Sequence, residues 1–131
     1  MALDPARLPD DIVAFLGEYH LASLTTRRPD GSPHVVPVGF SFDPTTQLVR
    51  VITFASSRKA RNLVASPGSR AVVCQVDRGR WLTLEGPADV TDDPERVGAA
   101  VAGYAARYRP PSERADRVAI EIRVDRVLGR A

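Results

Sequence analysis

Apolar positions along the chain change period several times, and each change marks an element. In "LPDDIVAFLGEYH", Ile12, Val13, Phe15 and Leu16 fall at helical spacing behind Pro9 and two acids, which predicts a short amphipathic helix ending near Gly17. "HLASLTTRR" (His20–Arg28) then reads as a strand and "PDGS" as a turn with aspartate–glycine chemistry. "PHVVPVGFSF" (Pro33–Phe42) reads as the strand returning from that turn. Pro37 cannot donate a ladder hydrogen bond, so an edge or a bulge is expected there, with backbone open to a ligand. "LVRVITF" (Leu48–Phe54) alternates as a third strand, and a helix follows from about Ser57 to Ala65.

"RAVVCQVD" (Arg70–Asp77) and "WLTLEGPADVTD" (Trp81–Asp92) read as strands joined by a tight "RGR" turn. "DPERVGAAVAGYAARY" (Asp93–Tyr108) is helical, with Pro94 in its first turn. "RVAIEIRVDRVLGR" (Arg117–Arg130) is predicted as one last strand, with Val118, Ile120, Ile122 and Val124 on one face and Ala119, Glu121 and Arg123 on the other. The result is a mainly β chain of about six strands with three helices. Short turns imply antiparallel pairing, and a small antiparallel sheet closes into a barrel to cover its edges. The 131 residues suffice for one domain with a core, expected to span 1–131.

Composition narrows the partners. A net charge of +2 is mildly basic, but the arginines are scattered and no aromatic–glycine RNA-binding signature is present. No nucleic-acid partner is expected; a small anionic ligand accounts for the balance as well. Cys74, the single cysteine, excludes an internal disulfide and reads as a small buried hydrophobe. "MALDPARLPDD" lacks a basic segment followed by a long apolar run, and no apolar run approaches the ~20 residues that span a bilayer. The expectation is a cytoplasmic protein without a membrane partner.

"TFASSRKARNL" (Thr53–Leu63) places Arg58, Lys59 and Arg61 in the first turns of a helix, the end that prefers anions. Two readings stand. The cations point into water, or an anion binds there, collecting free backbone N–H groups, serine hydroxyls, the Arg58 fork and the Lys59 charge.

The order "DGSPHVVPVGFSF", "SSRKARNL" after "VITF", then "WLTLEGPADV", resembles the pyridoxamine 5′-phosphate oxidase-like split β-barrel flavoproteins over nearly the whole chain. More narrowly it is similar to the branch that uses the deazaflavin coenzyme F420, and within it to biliverdin reductases. The resemblance implies a six-stranded antiparallel split β-barrel with short flanking helices, working as a homodimer with cofactor sites at the subunit interface. It implies Val36, Pro37 and Val38 along the flavin-like ring, and Ile52 and Thr53 near the ribityl–phosphate portion. Ser57, Arg58 and Lys59 would hold the phosphate, with Asn62 nearby. The Arg-, Trp- and Pro-rich closing segment of the true oxidases has no counterpart in "RVLGRA", so oxidation of pyridoxamine phosphate is not expected.

The implied activity is hydride transfer from reduced F420 to a small organic acceptor such as biliverdin. The alternatives are an F420 or flavin carrier without turnover, or an FMN-dependent oxidase or reductase. Trp81 is either a core or dimer-interface residue or a wall of the partner subunit's cofactor site. Gln75 either faces the site or pairs across strands. Arg78 and Arg80 face an anionic substrate or the coenzyme's acidic tail, or form a solvated hairpin tip; Arg61 is a further candidate for the tail. His20 and His34 are each read as lying in a strand far from any second histidine or carboxylate at triad or metal spacing, so structural roles are expected. No metal site and no catalytic acid or base is assigned, and Glu85 is read as an arginine's partner.

Overall fold

The structure, a computed structural model, describes residues 2–131. Its elements are β1 (Ala2–Leu3), α1 (Asp10–Gly17), β2 (Ala22–Arg27), β3 (Pro33–Val38), β4 (Ser41–Asp43), β5 (Leu48–Phe54), α2 (Arg58–Ala65), β6 (Arg70–Asp77), β7 (Arg80–Thr91), α3 (Pro94–Arg107), β8 (Arg117–Arg123) and β9 (Arg126–Arg130). All pairings are antiparallel, in the order β3-β2-β6-β7-β8-β5-β4, with β9 joining β7 to β1. The alternation of apolar side chains along these strands builds one core, centred on Phe15, Leu24, Phe40, Val51, Leu82, Leu84 and Ile120.

Six expected strands become nine: two long runs break, and Ala2–Leu3 adds the short β1. Pro33–Phe42 divides at Gly39, because the chain turns a corner against α3. A Cβ on Gly39 would lie 2.8 Å from the Tyr104 ring and 3.0 Å from that of Tyr108. The last run divides at Val124–Asp125, where Val124 N–H donates to Gln47 O and Asp125 N–H to Glu85 O. Arg70 clamps the Asp125 carboxylate through both terminal nitrogens at 3.0 and 2.5 Å. Both faces of β8 are covered. Val118, Ala119, Ile120, Glu121 and Ile122 are all buried, since α3 covers the second face and Arg96 pairs with Glu121 there.

The breaks produce the barrel. The N-terminal half of β7 pairs with β6 on one edge and β9 on the other, and its last residues, Ala88–Thr91, pair with β8. One twelve-residue strand thus passes from one half of the sheet to the other. β3 ends the strand order, so Pro37 sits on an edge strand, where a missing donor is tolerated.

Helix α3 is tied to the far side of the barrel by its last turn. Arg107 donates to Glu18 O, Phe40 O and Gln75 Oε1 and lies over the Phe40 ring at 4.6 Å. Tyr108 OH donates to His20 O at 2.7 Å. No carboxylate among the described residues pairs with Arg107, and burial pushes its guanidinium pKa down from the ordinary value. No helix among the described residues is long and apolar enough to cross a membrane.

Candidate functional site

Ser57 caps α2: its Oγ accepts from Ala60 N–H at 3.3 Å and from Thr53 Oγ1 at 3.0 Å. That cap fixes the entry of the helix against the end of β5. It leaves the N–H groups of Arg58 and Lys59 without intrahelical acceptors. The first turn carries no acid, and Arg58, Lys59 and Arg61 make no ion pair among the described residues. Partial burial without a counter-charge holds the Lys59 ammonium below its ordinary pKa. His34, on β3, is also close to this turn. Burial, then the charges of Arg28, Lys59 and Arg58, hold its imidazole below the usual value, and its buried Nδ1 has no partner among the described residues.

Lys59 opens into a cleft of about 270 Å³ lined by Pro37, Val38, Gly39, Ile52, Thr53, Phe54, Tyr104, Pro111, Arg114 and Arg117. One wall is apolar, from β3 and β5. The other is aromatic and cationic, from α3, the loop after it and the start of β8. No carboxylate or histidine of the described residues belongs to this lining. A ligand with an extended ring and an anionic group matches the arrangement: the apolar wall takes the ring, and a helix N-terminus with an unpaired lysine takes the anion.

Of the residues expected at a site, Pro37, Val38, Ile52, Thr53 and Lys59 meet in this cleft, with Ser57 beneath it as the cap. Val36 is partly buried against the core and borders a different, apolar groove. Asn62 is buried and donates to Thr26 Oγ1 at 3.0 Å, toward β2. Gln75 is fully buried, its amide spent on Phe15 O at 2.9 Å and on Arg107. Trp81 is half-buried on β7 between Val76 and Arg130 in register, outside the cleft lining. Arg78 holds the β6–β7 turn with φ 58°.

Arg80 is not free for a ligand. It grips both carboxylate oxygens of Glu18 at 2.9 Å, pairs with Asp77 and lies 4.4 Å over the Phe15 ring. Its hydrogen bonds lower the Glu18 pKa to about 2. His20 sits 3.0 Å from Glu18, so the expectation that it lies in a strand away from any carboxylate is corrected; both residues lie in the connection between α1 and β2, which starts only at Ala22. Glu18, His20 and Asp77 come within 4.8 Å of one another, with Arg80 bonded to both acids. Glu85 does pair with arginine, Arg70, at 2.8 Å. Cys74 is only half-buried, on the outer face of β6.

Gly39, Phe54, Tyr104, Pro111, Arg114 and Arg117 complete the cleft but were not among the expected site residues. The nearest signal in the sequence is "RPPSERAD", a loop dense in proline and arginine beside a helix end.

The model of the family described as pyridoxamine 5′-phosphate oxidase matches residues 8–131. The chain is 54% identical over 125 residues to an F420H(2)-dependent biliverdin reductase of Mycobacterium tuberculosis, covering 95% of this chain and 90% of that one. A solved structure titled F420 reductase superposes with a TM-score of 0.74 at 28% identity, over 92% of this chain and 98% of the other. A conserved hypothetical protein from Mycobacterium tuberculosis gives 0.78 at 23% identity, over 95% and 85%, a likeness of fold.

Proposed function

Because the chain belongs to the pyridoxamine 5′-phosphate oxidase family, we propose that it is a reductase dependent on coenzyme F420, with biliverdin or a related tetrapyrrole as acceptor. The curated relative and the F420 reductase structure support the cofactor, and the relative alone supports the acceptor. The observation on this chain that carries the reading is the unpaired Lys59 at the capped start of α2, opening into a cleft with one apolar wall and one aromatic and cationic wall. The residues present therefore fit a flavin-like phosphate ester.

When bound, the reduced deazaflavin supplies a hydride, and with one proton from solvent this completes a two-electron reduction of the acceptor. The protein binds, orients and excludes water. Lys59, with the free N–H groups of the first turn of α2 and the Arg58 fork, holds the phosphate. Ser57 and Thr53 fix that turn, and their mutual hydrogen bond leaves Ser57 as a cap. Pro37, Val38 and Ile52 form the wall against the ring. With no carboxylate or histidine in the lining, we assign no side-chain acid or base.

The working unit in this proposal is a homodimer of single-domain chains. Leu21, just before β2, Val35 on β3 and Val76 on β6 are 57%, 57% and 60% exposed. They line, with Val36, Pro37 and Cys74, a groove of about 410 Å³. Pro37 borders both this groove and the cleft, so a partner covering the one stands beside the other.

Titration of the purified protein with F420 and with FMN, followed by fluorescence, tests the cofactor; biliverdin-dependent oxidation of reduced F420 tests the reaction. Preference for F420 with turnover is expected. Preference for FMN would move the chain to flavin chemistry, and tight F420 binding without turnover would make it a carrier.

A further inference from the structure

We propose that Arg114 is the receptor for an acceptor carboxylate, and that Asp116 occupies its fork in the free protein. The inference rests on the cleft being the reductase site. Its starting point is a mismatch: the arginines expected to meet an anionic substrate, Arg78 and Arg80, lie outside the cleft lining, and Arg80 is consumed by Glu18 and Asp77. Two other arginines, Arg114 and Arg117, line the cleft instead.

Their environments differ. Arg117 Nη2 donates to Ser112 O at 2.6 Å, which pins the loop before β8. Arg114 lies with its guanidinium carbon 3.9 Å from the centre of the Phe54 ring, on the cleft wall. A planar cation on an aromatic face keeps its edge free for a planar anion. That edge already holds a carboxylate, since Nε and Nη2 donate to the two oxygens of Asp116 at 2.5 and 3.4 Å. Arg114 depresses the Asp116 pKa through those bonds. The pair is exposed, 46% and 48%, and exposed pairs of this kind add little stability, so exchanging Asp116 for another carboxylate costs little.

The two anion positions are thereby divided by chemistry. Lys59 stands at a helix N-terminus with free N–H groups, a setting for a tetrahedral phosphate. Arg114 offers an in-plane fork on a loop, a setting for a carboxylate. A tetrapyrrole bearing propionate side chains has the required pairing of a flat apolar body and a carboxylate.

Steady-state kinetics with reduced F420 compare wild type, Arg114→Ala and Asp116→Asn, using biliverdin and its dimethyl ester. Arg114→Ala is expected to raise KM for biliverdin about tenfold, the loss of one charge-assisted contact, with kcat and F420 affinity unchanged. With the ester the two proteins should coincide, and Asp116→Asn should lower KM for the acid alone. An unchanged KM, an equal loss with the ester, or weakened F420 binding would overturn the assignment. Absence of turnover in wild type would sink the reductase reading instead. Quenching of Trp81 by biliverdin and by the ester then decides the inference on binding alone: no binding, or binding indifferent to Arg114, overturns it.

Discussion

A lysine half-buried without a counter-ion carries a cost in the free protein that a bound anion removes. Lys59 is in that position, its pKa lowered by desolvation. An anion favours the protonated form, so binding raises the pKa and takes up a proton where the free lysine has begun to lose its own. Affinity for F420 should therefore be full below the free-protein pKa of Lys59 and fall as pH rises through it. Lys59→Met is expected to weaken binding about tenfold or more near neutral pH and to flatten the alkaline decline, while leaving thermal stability equal or higher. Calorimetric titration of both proteins across alkaline pH checks this; a Lys59→Met protein that keeps the decline would place the titrating group elsewhere. The turn was legible in the sequence because its parts are adjacent: cap, cations and strand end lie within eleven residues. Arg80 and Gln75 were not legible, because what decides them is remote. Glu18 lies 62 positions from Arg80, and Phe15 lies 60 from Gln75. A local reading shows that an arginine is available, never that it is already spent.

Strand β7 shows the same limit for an element. Its alternating pattern predicted a strand over nearly its full length, yet nothing local shows that its two ends serve different neighbours. The constraint is Gly86: a Cβ there would sit 1.8 Å from Arg123 O and 2.7 Å from Arg123 C. Both obstacles are backbone, at the point where β7 passes from β9 to β8, so neither can rotate away. Gly86→Ala is expected to cost on the order of 3 kcal/mol, read by chemical denaturation, because the strands must separate. A variant within about 1 kcal/mol of wild type, close to the scatter of ordinary surface changes, would show that the crossing relaxes freely. The break between β8 and β9 has the same origin. The apolar alternation runs on through Val124, and only the pairing with Gln47, Glu85 and Arg70 turns the chain. Pattern specifies which residues face the core; it is silent on where a strand changes partners.

For the molecule as a whole, the exposed apolar face of β2, β3 and β6 is the test of the proposed assembly. Val76→Asp places a charge on a side chain already 60% exposed, so the isolated fold should tolerate it. Light scattering should show dimer for wild type and monomer for the variant, with F420 binding weakened alongside. A variant that stays dimeric would put the interface on another face.

The link from Arg107 and Tyr108 to residues 18, 20, 40 and 75 bears on how the chain is made. A ribosome releases α1 and the early strands long before their fasteners exist. Ala2 and Leu3 likewise wait for Leu128 and Val127, more than a hundred positions later. Until then Phe15, Leu24 and Phe40 have no finished core to enter, and nascent chains with unpaired strand edges are prone to aggregate. Closure therefore waits until β9 has emerged rather than following step by step from the N-terminus. A truncation that removes the last strand should burden chaperones far more than its few residues would indicate.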